Sequence, residues 1–307
     1  MAAEDNVDEL LAASNRAHRD VALAAASMTE VIVLPGATSA EGITAGGGST
    51  FYAADVLGGD IYRGDVRRGT AELFIGVPAG IQSVGMDLDA RHDLLFVAGG
   101  PVFAGGQGKA YVYSTRTRRL VASYDLGNPR ISLINGVTVT PYGAWFTDSL
   151  QPRLYFIPVV HGVPGPVRTL DLSGPAAGPL GEFWLNDITS TPSGRTLLVA
   201  PVTGQLCAID PVTGASRVVD GVSVPGADGL VLEGRRLWAV QGFTDPAQIS
   251  RWRLSDDLSR GWSDGAITDP NFAAPLTAAR FGDRLAVVNS HLDTGTSPTY
   301  EVVVVDA

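Results

Sequence analysis

Six strongly apolar runs of four or five residues recur along the chain: Thr50–Ala54, Leu94–Ala98, Ala144–Thr147, Thr196–Ala200, Arg236–Val240 and Arg284–Val288. Each follows a turn rich in Gly, Asp or Pro, such as Gly46-Gly47-Gly48, Pro141-Tyr142-Gly143 or Gly282-Asp283. Ahead of each turn lies another short β-rich segment, so every unit reads as a hairpin. Further strand-like runs follow, for example Ala110–Tyr113 and Leu120–Ser123. Four of the opening segments start alike, at Glu41-Gly42-Ile43, Asn135-Gly136-Val137, Asn186-Asp187-Ile188 and Asp228-Gly229-Leu230. Val84-Gly85-Met86 and Leu276-Thr277-Ala278 complete a column of six, spaced 43, 51, 51, 42 and 48 residues apart. A period of about 40–50 residues built from short strands predicts a propeller. The expected fold is therefore all-β, a six-bladed β-propeller over residues 30–307. The runs Glu301–Val305 and Glu30–Val33 are both strand-like, and their pairing would close the ring and remove a sheet edge.

Residues 1–29 carry a different pattern. Asn6 is a suitable helix cap, Asp8 and Glu9 suit the first turn, and Leu10, Leu11, Val21 and Leu23 make a loose apolar stripe. This predicts an N-terminal helical extension packed on the outside of the propeller. The segment lacks the basic start and continuous apolar stretch of an export signal. A complete chain would be expected in the cytoplasm, a processed chain outside the cell.

Composition narrows the functional classes. Of 307 residues, 45% are hydrophobic, enough for a large core, and 37 Gly and 19 Pro supply many turns. The net charge of −10 leaves no basic surface for nucleic acid or for an anionic membrane. The single cysteine, Cys207, sits in an apolar run and reads as a small buried hydrophobe. A small molecule is the expected partner; oligomeric state is not encoded in any of these patterns.

Four of the six column positions bear side-chain oxygens. If the column rings a central channel, Glu41, Asn135, Asn186 and Asp228 converge on one point, which suits a hard divalent cation. An oxygen-only set ranks Ca²⁺ first, with Mg²⁺ and then Zn²⁺ as alternatives. Because a returning strand runs antiparallel, residues 13 or 14 after the column share its rim. Asp148, Gln241 and Asn289 are polar there, as is Asp55, and they are expected around the cation or in the pocket wall. Phe183 and Trp184, just before Asn186, would put two aromatics at the mouth and favour an apolar or bulky substrate. Of the four histidines, His291 alone follows the rim and is the candidate acid–base partner. No Gly-x-Ser-x-Gly elbow and no phosphate loop occurs.

The four oxygen-bearing triplets, in order and approximate spacing, resemble those of the senescence-marker-protein/gluconolactonase family of six-bladed propellers. The run Asp228–Val240 looks much like that family's fifth blade. The resemblance implies that Glu41, Asn135, Asn186 and Asp228 hold one divalent cation, that Asp228 is also the catalytic base, and that the activity is metal-dependent hydrolysis of a lactone or related ester. An arginine equivalent to the family's sugar-binding group is not evident. A non-hydrolytic cyclase or lyase acting on an apolar substrate is the alternative, as is a binding protein with a structural cation.

Overall fold

The computed structural model describes residues 30–101, 106–295 and 297–307. The expected N-terminal helix lies outside them. The described chain forms six antiparallel sheets, each a meander running outward from the column. The innermost strands are Ile43–Ala45, Ser83–Asp89, Ile134–Thr140, Leu185–Ser190, Leu230–Glu233 and Pro275–Phe281. The apolar runs singled out in the sequence form the second strands, for instance Thr50–Ala54 and Leu94–Gly99. The sheet of blade 3 carries an additional short strand, Val163–Pro164.

The second strands are apolar without alternation because both of their faces are buried. Successive side chains point to opposite sides of a strand. Phe51 and Ala53 therefore pack toward blade 6, while Tyr52 and Ala54 pack toward blade 2. Likewise Leu95 and Val97 face blade 1, and Leu94, Phe96 and Ala98 face blade 3. Among the described residues the core divides into six clusters, one in each interface between neighbouring blades. The ring is thus continuous.

Closure occurs where the sequence predicted it. Glu30–Leu34 pairs antiparallel with Tyr300–Asp306 and becomes the outer strand of blade 6. Val302 and Val304 pack toward blade 1, Val303 and Val305 toward blade 5. The C-terminal run is all valine at these positions because each face meets a different neighbour.

The repeated triplet has two physical causes. The first is a β-bulge. In blades 2, 3, 4 and 6 the register slips across Val84-Gly85, Asn135-Gly136, Asn186-Asp187 and Leu276-Thr277. In blades 1 and 5 one residue of the partner strand faces two: Ala54 bonds to both Glu41 and Gly42, and Val240 to both Asp228 and Gly229. A bulge bends the strand and re-aims a side chain, here the column side chain. The second cause is close packing of the glycine against the next blade. A Cβ on Gly42 would stand 2.1 Å from the Val84 carbonyl oxygen, one on Gly85 2.3 Å from that of Asn135, and one on Gly136 2.6 Å from the Asp187 Cα. Gly229 meets blade 6 the same way, its N–H donating to the Leu276 carbonyl at 2.7 Å. The ring closes with Thr277 Oγ1 donating to the Glu41 carbonyl. In blades 1, 2, 3 and 5 glycine follows the column residue because the next blade's backbone occupies the space of a side chain; Asp187 and Thr277 stand there in blades 4 and 6.

Candidate functional site

All six column residues, Glu41, Val84, Asn135, Asn186, Asp228 and Leu276, line one cavity of ≈ 340 Å³ at the mouth of the channel. Asn135 and Asp228 are buried, at 6% and 7% exposure, as are the apolar Val84 and Leu276. In ring order Asn135, Asn186 and Asp228 are consecutive; Glu41 stands across from Asn186 between the two apolar positions.

The polar side is ordered by a chain of side-chain bonds. Asn135 Nδ2 donates to Asn186 Oδ1 at 2.7 Å and to Ser149 Oγ at 3.1 Å. The Asn186 side chain in turn bonds to the Asp228 carboxylate and lowers its proton affinity. With its nitrogen engaged twice, Asn135 has its amide oxygen to offer a ligand. Burial and the neighbouring Glu41 charge outweigh the Asn186 bond, so the Asp228 carboxyl is held well above the usual carboxylate range. Burial, then the charge of Asp187, pushes Glu41 up to about 7.

Among the described residues, no Lys, Arg or His lines this cavity. Two carboxylates, Asp228 buried and Glu41 half-buried, share the cavity without a basic partner, an arrangement that costs free energy unless protons or a cation neutralise them. Two carboxylates with two amide oxygens match the hard-cation donor set. No group of three His, Cys, Asp or Glu side chains suited to a metal occurs among the described residues, so the amides are essential to any such site.

The rest of the lining is apolar. Leu133, Phe183, Ala200, Val202, Phe243 and Leu292 rise around the polar floor. Phe183 is thus placed at the mouth as the sequence predicted. Trp184 is not: it packs in the core between blades 3 and 4, where a Cβ on Gly178 would fall 1.9 Å from its Cγ. Neighbouring residues entering a strand point to opposite sides, which separates the two aromatics. Val202, Phe243 and Leu292 follow the second strands of blades 4, 5 and 6, at 16, 15 and 16 residues after Asn186, Asp228 and Leu276, a shared offset that could have marked them.

The polar rim positions also sit elsewhere than in the pocket wall. Each is buried and grips the backbone leading into its own blade's column residue. Asp148 Oδ1 accepts from the Leu133 and Leu150 N–H groups, both at 3.1 Å. Gln241 Nε2 donates to the Pro225 carbonyl at 2.7 Å. Asn289 Oδ1 accepts from the Ala273 N–H at 3.0 Å, while its nitrogen donates to the Asn271 carbonyl and to Glu301. Asp55 accepts from the Thr38 N–H and the Ser39 hydroxyl in the same way. These side chains position the segments that carry Glu41, Asn135, Asp228 and Leu276. His291 is engaged as well: its Nε2 lies 2.8 Å from Glu301 Oε1, its ring stands edge-on to Tyr300, and it is not among the cavity-lining residues.

Below the mouth, the inner part of the channel holds two more carboxylates, Asp87 and Asp187. Asp87 accepts from the Val139 N–H at 2.7 Å, the Leu88 N–H at 2.8 Å and the Thr44 hydroxyl at 2.9 Å. Asp187 accepts from the Leu230 N–H at 2.9 Å and from that of Ile188. Burial raises both, Asp187 to about 8, with the charges of Asp228 and Asp87 adding to the effect.

No protein-family model matches the sequence, and no curated protein matches it. Solved structures do match in fold. The Malassezia sympodialis allergen Mala s 1 aligns with TM-score 0.68 at 13% identity, over 91% of this chain and 96% of that one. A chain of a mitotic checkpoint complex aligns with TM-score 0.62 at 10% identity, over 90% of each chain. Virginiamycin B lyase from Staphylococcus aureus aligns with TM-score 0.58 at 18% identity, over 85% of this chain and 81% of that one. At these identities the likeness is one of fold, shared by proteins of differing activity. No helix of the described residues is long and apolar enough to cross a membrane.

Proposed function

We propose that the protein is a metal-dependent hydrolase acting on a lactone or related ester at the channel mouth. The observation that carries this reading is that two carboxylates and two amides line one cavity without a basic neighbour among the described residues. The resemblance of the same four triplets to the gluconolactonase family supports it. Glu41, Asn135, Asn186 and Asp228 would hold the cation, Ca²⁺ by preference. When bound, a divalent cation supplies Lewis-acid polarisation of the substrate carbonyl and charge stabilisation of the oxygen.

The chain's own groups do the rest. Asp228 accepts the proton of the attacking water at a carboxylate oxygen and returns it to the leaving alkoxide oxygen as the acyl C–O bond breaks. Asn186, bonded to Asp228 on one side and Asn135 on the other, keeps that carboxylate oriented. A substrate seated against the apolar wall covers it and displaces water from around the reacting carbonyl. The direct test is hydrolysis of sugar, aliphatic and aryl lactones with and without chelator. Turnover abolished by chelator and restored by Ca²⁺ is expected; no metal-dependent turnover on any of them would overturn the reading.

A second reading, elimination or cyclisation without hydrolysis, is favoured by the apolar wall and by the fold shared with a lyase. Product mass separates the two: hydrolysis adds one water, and elimination or cyclisation adds none.

A further inference from the structure

The wall above the polar floor has a composition of its own. Leu133, Phe183, Val202, Phe243 and Leu292 line it. Four of these are large apolar side chains left open to solvent: Phe183 is 44% exposed, Val202 50%, Phe243 58% and Leu292 57%. Exposed apolar groups gathered at one concave site mark a binding surface, whereas the same groups scattered singly would mean nothing. They come from blades 4, 5 and 6, so the apolar surface stands mainly on one side of the mouth. Among the described residues the lining contains no hydroxyl, amide or charged side chain besides the four of the floor. At ≈ 340 Å³ the cavity lies near the small end of ligand sites, roughly 300–1,000 Å³.

We infer that the site takes one small, uncharged amphipathic carbonyl compound, with its carbonyl on the floor and an alkyl or aryl tail along the wall of blades 4–6. This rests on the function proposed above and names its substrate class. A polyhydroxylated sugar lactone is excluded by the same wall, because its hydroxyls would be desolvated without partners. An anionic substrate would find no basic side chain among the described lining residues to pair with.

The test separates binding from turnover. Non-hydrolysable 2-alkylcyclopentanones, methyl to pentyl, are titrated calorimetrically into the calcium-loaded protein, with gluconolactone as the polar counterpart. Affinity should rise about fourfold for each methylene that the wall covers, and gluconolactone should bind at least about a hundredfold more weakly than the pentyl ketone. Phe243→Ser and Leu292→Ser, both at exposed positions, should flatten the chain-length dependence while their thermal unfolding stays near that of the parent. A flat chain-length series in the parent protein, or gluconolactone binding as tightly as the pentyl ketone, overturns the inference. If the ketones bind with the expected slope and no lactone is hydrolysed, the hydrolase reading fails and the ligand class stands. If lactones are hydrolysed without regard to chain length, the ligand class fails and the hydrolase reading stands.

Discussion

Two pairs of carboxylates sit one above the other in the channel, and their surroundings differ. At the mouth, Asp228 has a bond from Asn186, and among the described residues no N–H or O–H is bonded to the Glu41 carboxylate. Deeper in, Asp87 has three donors and Asp187 two, and in each case one is a backbone N–H of the following blade, Val139 or Leu230. A carboxylate whose lone pairs are taken by backbone donors is a stitch between blades. One left short of donors in a cavity without basic residues has capacity for a ligand. Burial alone does not distinguish them, since it raises all four.

The largest expected effect follows at the mouth. Asp228→Asn keeps an oxygen and the shape while removing the charge and the base. Turnover should fall about 10²–10⁴-fold with the fold intact, as loss of a general base does. Asn135→Ala removes one neutral oxygen, and its defect should recover at high cation concentration. Metal titration alongside activity checks both. If excess cation fully restores Asp228→Asn, Asp228 is a ligand only, and the proton is taken elsewhere.

The stitching half should answer in stability instead. Asp87→Ala orphans the Val139 N–H, the Leu88 N–H and the Thr44 hydroxyl, at about 1–3 kcal/mol for each group that stays buried and unpaired. Gly85→Ala drives a Cβ to 2.3 Å from the Asn135 carbonyl oxygen, with backbone on the other side of the contact. Overpacking of this kind costs about 1–3 kcal/mol, and more where backbone cannot shift. Denaturant unfolding measures both variants. A Gly85→Ala protein as stable as the parent would show that the glycine does not set the spacing between blades 2 and 3.

How far the sequence reached follows from the same division. The column was legible because the bulge recurs in every blade and a closely packed glycine follows it in four of them, so similar triplets return at one period. Closure was legible because strands buried on both faces cannot alternate: Val302–Val305 reads as what it is. The polar rim was legible as a position but not as a role. Nothing in Asp148, Gln241 or Asn289 says that the partner is the backbone of the preceding loop rather than a ligand. Trp184 and Phe183 are adjacent, and only the direction of the chain entering Leu185–Ser190 sends one into the core and leaves the other at the mouth. Phe243 and Leu292 lie on loops just past the rim, 15 and 16 residues after their column positions, where the repeat fixes the place but not the residue type.

Acidity gives a smaller effect that sharpens the contrast. In chelated protein, burial raises the folded-state affinity of Glu41, Asp187 and Asp228 for protons above that of the unfolded chain. The folded state then binds more protons, so stability falls as pH rises. The loss should begin near the ordinary carboxylate range and continue through about 7 for Glu41 and about 8 for Asp187. Saturating Ca²⁺ should flatten the curve through Glu41 and Asp228 and leave the Asp87 stitch unaffected. Thermal unfolding at pH 5, 6.5 and 8, with chelator or calcium, reads this directly. Identical slopes in the two conditions would count against a cation at the mouth.

The smallest effect is expected at His291. Its position on the rim marked it as an acid–base partner, but its Nε2 is bonded to Glu301 and its ring is packed on Tyr300, away from the cavity lining. Its backbone is left-handed, with φ 54°, so a poorly chosen replacement would add strain unrelated to the imidazole. His291→Asn avoids that, because Asn tolerates this conformation better than most residues. Losing the Glu301 bond should lower stability by about 0.5–1.5 kcal/mol. Turnover at saturating cation should stay within a few-fold of the parent, with an unchanged pH profile. A fall of about 10²-fold or more, with one limb of the pH profile lost, would instead give His291 the proton-transfer role. Glu301 would then be its orienting partner, and the mouth would have to open toward blade 6 during turnover.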